Sequence, residues 1–531
     1  MKPVSIVVLV LGLLSVAVLV LGPGAVWVLE NVDGVTQDDG FAPAIAPSPT
    51  MPPATPSADP NELAAKDWAS AVAGVRGNML AIATGLAALV AVLYTARNAN
   101  TARRTFQLGE RGHVTDRYGK AVEQLGSTQA PVRLGGLYAL DQLGQDNPSA
   151  ALRQTIVDVI CAYLRMPYTP PPDEAGPAAP AEPRIADGGV SAPLGRDPHE
   201  ERQVRLTAQR ILTAHLRYLD PPARRWWQPR SADLNARHWA GIRLDLTGAT
   251  LLDFDLSVCR VGDAAFGRAA FHGDARFGET TFTGDAGFGG TTFTRGARFE
   301  GATFTRGAGF GGTTFTGYAA FREAAFHGDA SFAKVTFTSH AEFFGATFTH
   351  LVAFEGATFT RGAGFAKATF TGNAGFEGAA FSGYAWFAEA IFTSHAGFAE
   401  ATFTGKVGFG EATFTGNAGF GEATFTGGVW FNRATFNGNA EFDGAAFSGY
   451  AWFDGTTFNG NAEFDGATGL EVAVLGGVRV APAAAGVRRV WPPTWQVEAG
   501  TDGWQTLRLV GPQAGGGAAE PGPEPAGEAE G

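Results

Sequence analysis

Carboxylates recur in this chain at a fixed count. Glu389, Glu400, Glu411 and Glu422 stand 11 residues apart, each two residues after a phenylalanine; Asp443, Asp454 and Asp465 keep the spacing one residue after a phenylalanine. Carboxylates that converge on a pocket do acid–base chemistry, and those that surround a cation hold it. Evenly ranked carboxylates do neither. They make a charged edge against which another molecule docks, so these seven are the candidate interaction surface. Histidines follow a related count: His272 matches His327, and His340 matches His395. A residue repeated with the architecture reads as a surface or corner position rather than a ligand. Cys161 and Cys259 have no metal or redox spacing and read as structural thiols in a reducing compartment. No Walker or dinucleotide loop, GxSxG or HExxH pattern occurs. The expectation is a non-enzyme with no catalytic residue, no cofactor and no metal.

The element that must position the carboxylates is a repeat. In EATFTGNAGFGEATFTG, Glu411 to Gly427, the phenylalanines are 414, 420 and 425. From Phe271 to Phe464 the gaps alternate six and five almost without error, so the unit is 11 residues, close to A-x-F-x-x-A-x-F-T-G-x. A short fixed period decides the architecture before any other feature does. Upstream the spacing tightens to a strict five at Leu246, Leu251, Leu256, Val261 and Phe266.

In LDLTG-ATLLD-FDLSV the spacing by five resembles the pentapeptide repeat A(D/N)Lxx. The chain is similar to pentapeptide-repeat proteins of the variant with Phe at the central position. VTDRYGKAVEQLG, VRLGGLYALDQLG and GVRRVWPPTW resemble segments of membrane-anchored actinobacterial members. The resemblance implies a right-handed, four-sided parallel β-helix with the central residue and the small residue two before it inward. Phe then fills the interior and Ala leaves it room. Gly, Asn and Asp after the second Phe are expected to take positive φ at the corner. The departure is the sixth residue in alternate pentapeptides. Four faces give a coil of 22 residues, and nine such coils run from Phe266 to Phe464; at about 4.8 Å per coil the rod is roughly 45–50 Å long. A flattened two-faced coil of 11 residues is the rival. The predicted solenoid covers 240–470, of about ten coils, with 471–510 as a C-terminal cap containing Trp491, Trp495 and Trp504, and 511–531 as a disordered acidic tail.

Two apolar stretches precede it, uncharged over 3–29 and 77–96, each long enough for a membrane helix: about 4–29 and about 75–97. The first exceeds an ordinary signal-peptide core, which favours an anchor over a cleaved leader. Residues 1–97 thus read as a membrane anchor, with 30–74 as an external loop that is Pro-rich over 40–60. Arg97, Arg103, Arg104, Arg111, Arg117 and Lys120 follow the second stretch, while acidic residues dominate between the two. The positive-inside rule then places the N-terminus and the β-helix in the cytoplasm, at the cell membrane. Residues 98–222 read as a juxtamembrane helical unit of plain packing helices, with a disordered insertion at 168–198.

A net charge of −12 argues against direct nucleic-acid binding. Three function classes stay open. The first is a membrane-anchored cytoplasmic scaffold or protein-binding module, with an unidentified protein partner and homo-oligomerisation open. The second is a DNA-mimicking, topoisomerase-binding protein, because residues 371–470 hold ten acidic residues and two basic ones. The third is an ice- or surface-binding array, because TFT recurs at 281–283, 292–294 and nine further places.

Overall fold

The computed structural model describes residues 60–171, 197–219, 235–482, 486–500 and 503–510. The first expected span, most of the Pro-rich loop, most of the 168–198 insertion and the acidic tail lie outside the described residues. The chain divides into two units, Met1–Thr115 and Asp116–Gly531.

In the first unit the second apolar stretch is helical. Helix α1 spans Pro60–Leu125, the last residues belonging to the second unit. It absorbs 60–74, which the sequence reading assigned to the external loop. Pro60 costs a first helical turn nothing, since its missing N–H is unpaired there anyway, and Leu, Ala and Glu follow it. Trp68–Arg103 is long and apolar enough to cross a membrane, with a mean hydropathy of 2.1 in its most apolar window, none of it buried. Leu80, Ile82, Leu86, Leu89, Val92 and Leu93 are all exposed. Hydroxyls on this stretch are satisfied locally: Thr84 donates to the Leu80 carbonyl and Thr95 to that of Ala91, both at 2.7 Å.

The second unit begins with helices α2 (Ala130–Asp146), α3 (Ala150–Arg165) and α4 (Pro198–Leu216). Leu137, Leu140, Leu143, Ile156, Ile160, Val204 and Leu212 form their core. Ser149 and Asp197 cap α3 and α4 by accepting from the N–H groups of Leu152 and His199.

From Leu244 the chain winds as a parallel β-solenoid of about eleven turns. Short strands stack into four sheets, here faces 1 to 4 in the order the chain visits them; they begin at Leu244, Thr250, Ala275 and Arg260. Register distinguishes the two coil lengths left open above. Ala297 pairs with Ala319, and Phe304 with Phe326, each 22 residues on, so the coil has four sides. The first coil is shorter, with Leu244 opposite Ala264 and Arg260 opposite Thr281. The sequence spaced by five thus winds as 20, then 21, then 22 residues.

Inside, the rings form four columns. Phe299 stacks on Phe321 at 4.7 Å and 2°, and Phe288 on Phe310 at 4.8 Å and 1°. Between columns the rings meet edge to face, as Phe299 and Phe310 do at 5.5 Å and 90°. Both geometries suit the aromatic quadrupole. The inward alanines 297, 319, 341 and 363 are equally buried.

The positive-φ expectation is corrected. The left-handed residue sits two positions after the first Phe of each repeat, as in Glu279 (φ 55) and Gly301 (φ 63), and at the second corner only in the first coils, at Asp253 (φ 43) and Gly273 (φ 82). The first corner is closed by a bond from the fourth residue to the first, such as Ala302 N–H to the Phe299 carbonyl at 3.0 Å. Such a tight turn needs positive φ at its third residue. The T-G-x corner has one residue more and spreads the turn. Its glycine serves close approach instead: a Cβ on Gly405 would lie 2.0 Å from the Gly383 carbonyl oxygen of the preceding coil.

Both solenoid ends are covered. At the start, two glutamine amides imitate a neighbouring strand. Gln209 donates to the Leu252 carbonyl at 2.6 Å and accepts from its N–H at 2.9 Å; Gln154 does the same to Arg243 at 2.9 and 3.0 Å. At the far end Trp491 and Trp495 pack on Phe464, at 5.7 and 5.2 Å. A hairpin, Trp495–Ala499 with Gln505–Leu509, extends face 4. Trp504 instead carries the Arg479 guanidinium, 4.2 Å from its ring centre.

Candidate interaction faces

Each tight corner carries the two residues that follow its Phe. The seven candidate carboxylates all lie at such corners, but not at one. Glu400, Glu422, Asp443 and Asp465 follow phenylalanines of face 1, whereas Glu389, Glu411 and Asp454 follow those of face 3. The corner between faces 1 and 2 is diagonally opposite the corner between faces 3 and 4. A count of 11 is half a coil, so it alternates between opposite corners. Only residues 22 apart share a column, and the single acidic stripe read from the sequence becomes two.

The two columns differ. At the 3–4 corner, Lys367 lies 3.7 Å from Glu389 and Arg433 is 3.1 Å from Glu411, so these two glutamates each have a cation one coil away. All four side chains are more than half exposed, and such pairs contribute little to stability. At the 1–2 corner the sequence reading missed two members. Glu355 and Glu377 also follow face-1 phenylalanines, one residue after the ring. With them, six successive coils place one carboxylate at this corner. The signal was present, but the shift from second to first position after the Phe hides it from a strict count. Glu377 folds back over Gly375, where a Cβ would meet its Oε2 at 2.6 Å. Burial, and then the Glu355 carboxylate, raise its pKa above the usual carboxylate range.

The four glutamates occupy a conformation that disfavours them. Glu389, Glu400, Glu411 and Glu422 have φ between 56 and 58, where other coils use Gly378 or Gly444. A left-handed residue with a Cβ costs about 1–2 kcal/mol. Replacing Glu400 by glycine is therefore expected to raise the unfolding free energy by about 0.5–1 kcal/mol, after the entropy glycine adds to the unfolded chain. Denaturant titration checks this; a loss of stability would show that the carboxylate holds the corner together.

The TFT motifs lie on faces 2 and 4, which are opposite. Both threonines of each motif point outward, as expected, but they are not equivalent. In about half of the motifs the second donates its hydroxyl to the coil before it, as Thr294 does to the Phe271 carbonyl at 3.0 Å and Thr316 to that of Phe293 at 2.7 Å. These hydroxyls therefore tie one coil to the next. His272 and His327, matched in sequence, fall on faces 2 and 4 respectively. Cys161 and Cys259 are free and buried, and burial pushes both thiols up to about 12, far from reactive thiolate.

The helical unit holds a polar cluster that reading it as plain packing did not foresee. The Glu201 carboxylate lies 3.0 Å from the Arg133 guanidinium and 3.1 Å from that of Arg205, and accepts the Tyr163 hydroxyl at 2.7 Å. All four side chains are buried. The guanidiniums also donate to backbone carbonyls: Arg133 to Thr128 at 2.7 Å, Arg205 to Leu164 at 2.9 Å and to Met166 at 2.7 Å. This arrangement ties α4 to the ends of its neighbours. Among the described residues no group of three or more His, Cys, Asp or Glu side chains is placed to hold a metal ion.

A family model described as pentapeptide repeats (9 copies) matches residues 266–314, 310–357, 354–402, 398–446 and 420–468. No curated protein and no solved structure matches the chain.

Proposed function

Residues 266–468 are pentapeptide repeats, and from that premise we propose that the chain is a membrane-anchored scaffold whose solenoid displays docking faces to a protein partner. The observation that carries the reading is the constant 22-residue register. It fills the interior with phenylalanine and turns every other side chain outward on flat, continuous faces. A solenoid of this kind offers long ranked surfaces, the usual basis of protein docking by repeat proteins. The exposed apolar helix Trp68–Arg103 supports anchoring, and the Arg and Lys residues that follow it support a cytoplasmic solenoid by the positive-inside rule. The charged residues held at left-handed corners support surface recognition, since glycine would suit those corners better.

The test is in-membrane cross-linking of the full chain beside a version lacking 240–470. A partner recovered only when the solenoid is present is the expected result. Identical cross-link patterns from both chains would overturn the docking role. Protease access from either side of the membrane checks the sidedness separately.

A further inference from the structure

Face 3 differs from the others at its C-terminal end. Its outward central positions carry Trp386, Trp430 and Trp452, with Gly408 in the coil between the first two. Trp430 and Trp452 stack at 4.9 Å and 6°, the spacing of adjacent coils. Trp386 leans across Gly408 to within 6.2 Å of Trp430, and a Cβ at 408 would meet its ring at 2.5 Å. Tyr384 and Tyr450 flank the row and are 54% and 60% exposed. None of these rings contributes to the solenoid interior. The same column holds Ala320, Glu342 and Gly364 in earlier coils, so the fold itself does not require indole here. A contiguous aromatic row of this kind on a soluble surface marks an interface.

We propose that this row is the centre of a parallel, two-fold interface between the solenoids of two copies of this chain. Charge selects this occupant and this orientation. Lys406, its ammonium 5.7 Å from the centre of the Trp430 ring, stands at the edge of face 3 shared with face 2, and Glu411, also paired with Arg433 of its own chain, stands at the edge shared with face 4, in the same coil. A two-fold axis running along the solenoid brings opposite edges together, so Lys406 of one copy meets Glu411 of the other. Reversing one copy would instead set like edges against each other. Parallel packing also suits two chains held in one membrane by the same N-terminal helix, since each then enters its solenoid from the same end. The nine strands of face 3 give a surface about 40 Å tall, long enough for a rim on both sides of the aromatic centre.

The experiment measures particle mass of the full chain in detergent across a concentration series, with the micelle subtracted. The wild-type chain is expected to dimerise in the micromolar range. Trp430→Glu combined with Trp452→Glu is expected to raise the dissociation constant at least tenfold with an unchanged circular dichroism spectrum, since Glu342 already occupies an equivalent position. Tyr450→Ser, a milder change, is expected to weaken the dimer without touching the column. Lys406→Glu is expected to weaken it as well, and adding Glu411→Lys to restore it. Trp452→Cys is expected to form a disulfide with its own copy. A wild-type chain that stays monomeric at tens of micromolar would overturn the proposal. So would a dimer indifferent to the tryptophan substitutions, or Trp452→Cys linking only to Trp386→Cys in a mixture.

Discussion

Replacing Phe365 by alanine is expected to cost about 3–5 kcal/mol of stability and to split thermal unfolding of the solenoid into two steps. The Phe365 ring is fully buried. It stacks on Phe343 at 4.7 Å and on Phe387 at 4.8 Å, and meets the edges of Phe354 and Phe376 at 5.4 and 5.5 Å. Ring–ring geometry adds about 0.5–1.5 kcal/mol per pair beyond the area buried, so truncation removes several such terms and leaves a cavity. The parallel ladder prevents collapse around it, because each coil is fixed by bonds to the coils on either side. Phe365 lies near the middle of the rod, and in a solenoid each coil is stabilised only by its neighbours. A weak coil there uncouples the two halves. Leucine at 365 is expected to cost less, about 1–2 kcal/mol, since Leu246, Leu251 and Leu256 fill the first coil without loss of burial. Circular dichroism melting with hydrogen exchange resolves the two blocks. A single sharp transition for the alanine variant, shifted by less than a degree, would show that the stacked column does not carry the stability of the rod.

The solenoid was legible because Phe and Ala report the same inward geometry in every coil. The alternation of five and six fixed a unit of 11 but left a two-sided and a four-sided coil open, and the 22-residue register of the strands decides for four sides. Corner chemistry was harder to read. Glycine signals both positive φ and close approach, and the sequence does not say which. Gly301 serves the first purpose and Gly405 the second. The acidic candidates failed as one surface for a geometric reason: a period of 11 in a coil of 22 places Glu400 and Glu411 at opposite corners. Contacts between distant segments left no trace in any period. Gln154 caps Arg243 across 89 residues, and nothing near either residue announces it. Nothing in EERQVRLTAQ sets Glu201 apart from Glu200 beside it. The burial of Glu201 depends on Arg133, which lies in a different helix. The tryptophans of face 3 were visible as letters, but their common column appears only when the chain is read every 22 residues.

Glu201→Ala is expected to destabilise the helical unit by about 3–5 kcal/mol and to loosen the first solenoid coil with it. The loss comes from what stays behind. Arg133 and Arg205 keep two buried guanidiniums facing each other across the vacated carboxylate, and an uncompensated buried charge costs far more than the pair contributed. The Tyr163 hydroxyl loses its acceptor as well. Glu201→Gln keeps the shape and part of the hydrogen bonding, so a smaller loss is expected. Replacing Arg133 and Arg205 by methionine together with Glu201→Leu is expected to recover most of the stability, since apolar residues of similar volume often match a buried ion cluster. The effect reaches the solenoid because α4 carries Gln209, which supplies both hydrogen bonds to the exposed edge at Leu252. When α4 loosens, that edge loses its cap. Hydrogen exchange at Leu252 and Phe271 should therefore accelerate in Glu201→Ala, while exchange at Phe420, seven coils further on, stays as in the wild-type chain. Faster exchange in α4 alone would mean that the helical unit does not cap the solenoid. Equal acceleration at Phe420 would mean that the rod opens as one body, against the neighbour-only coupling expected of stacked coils.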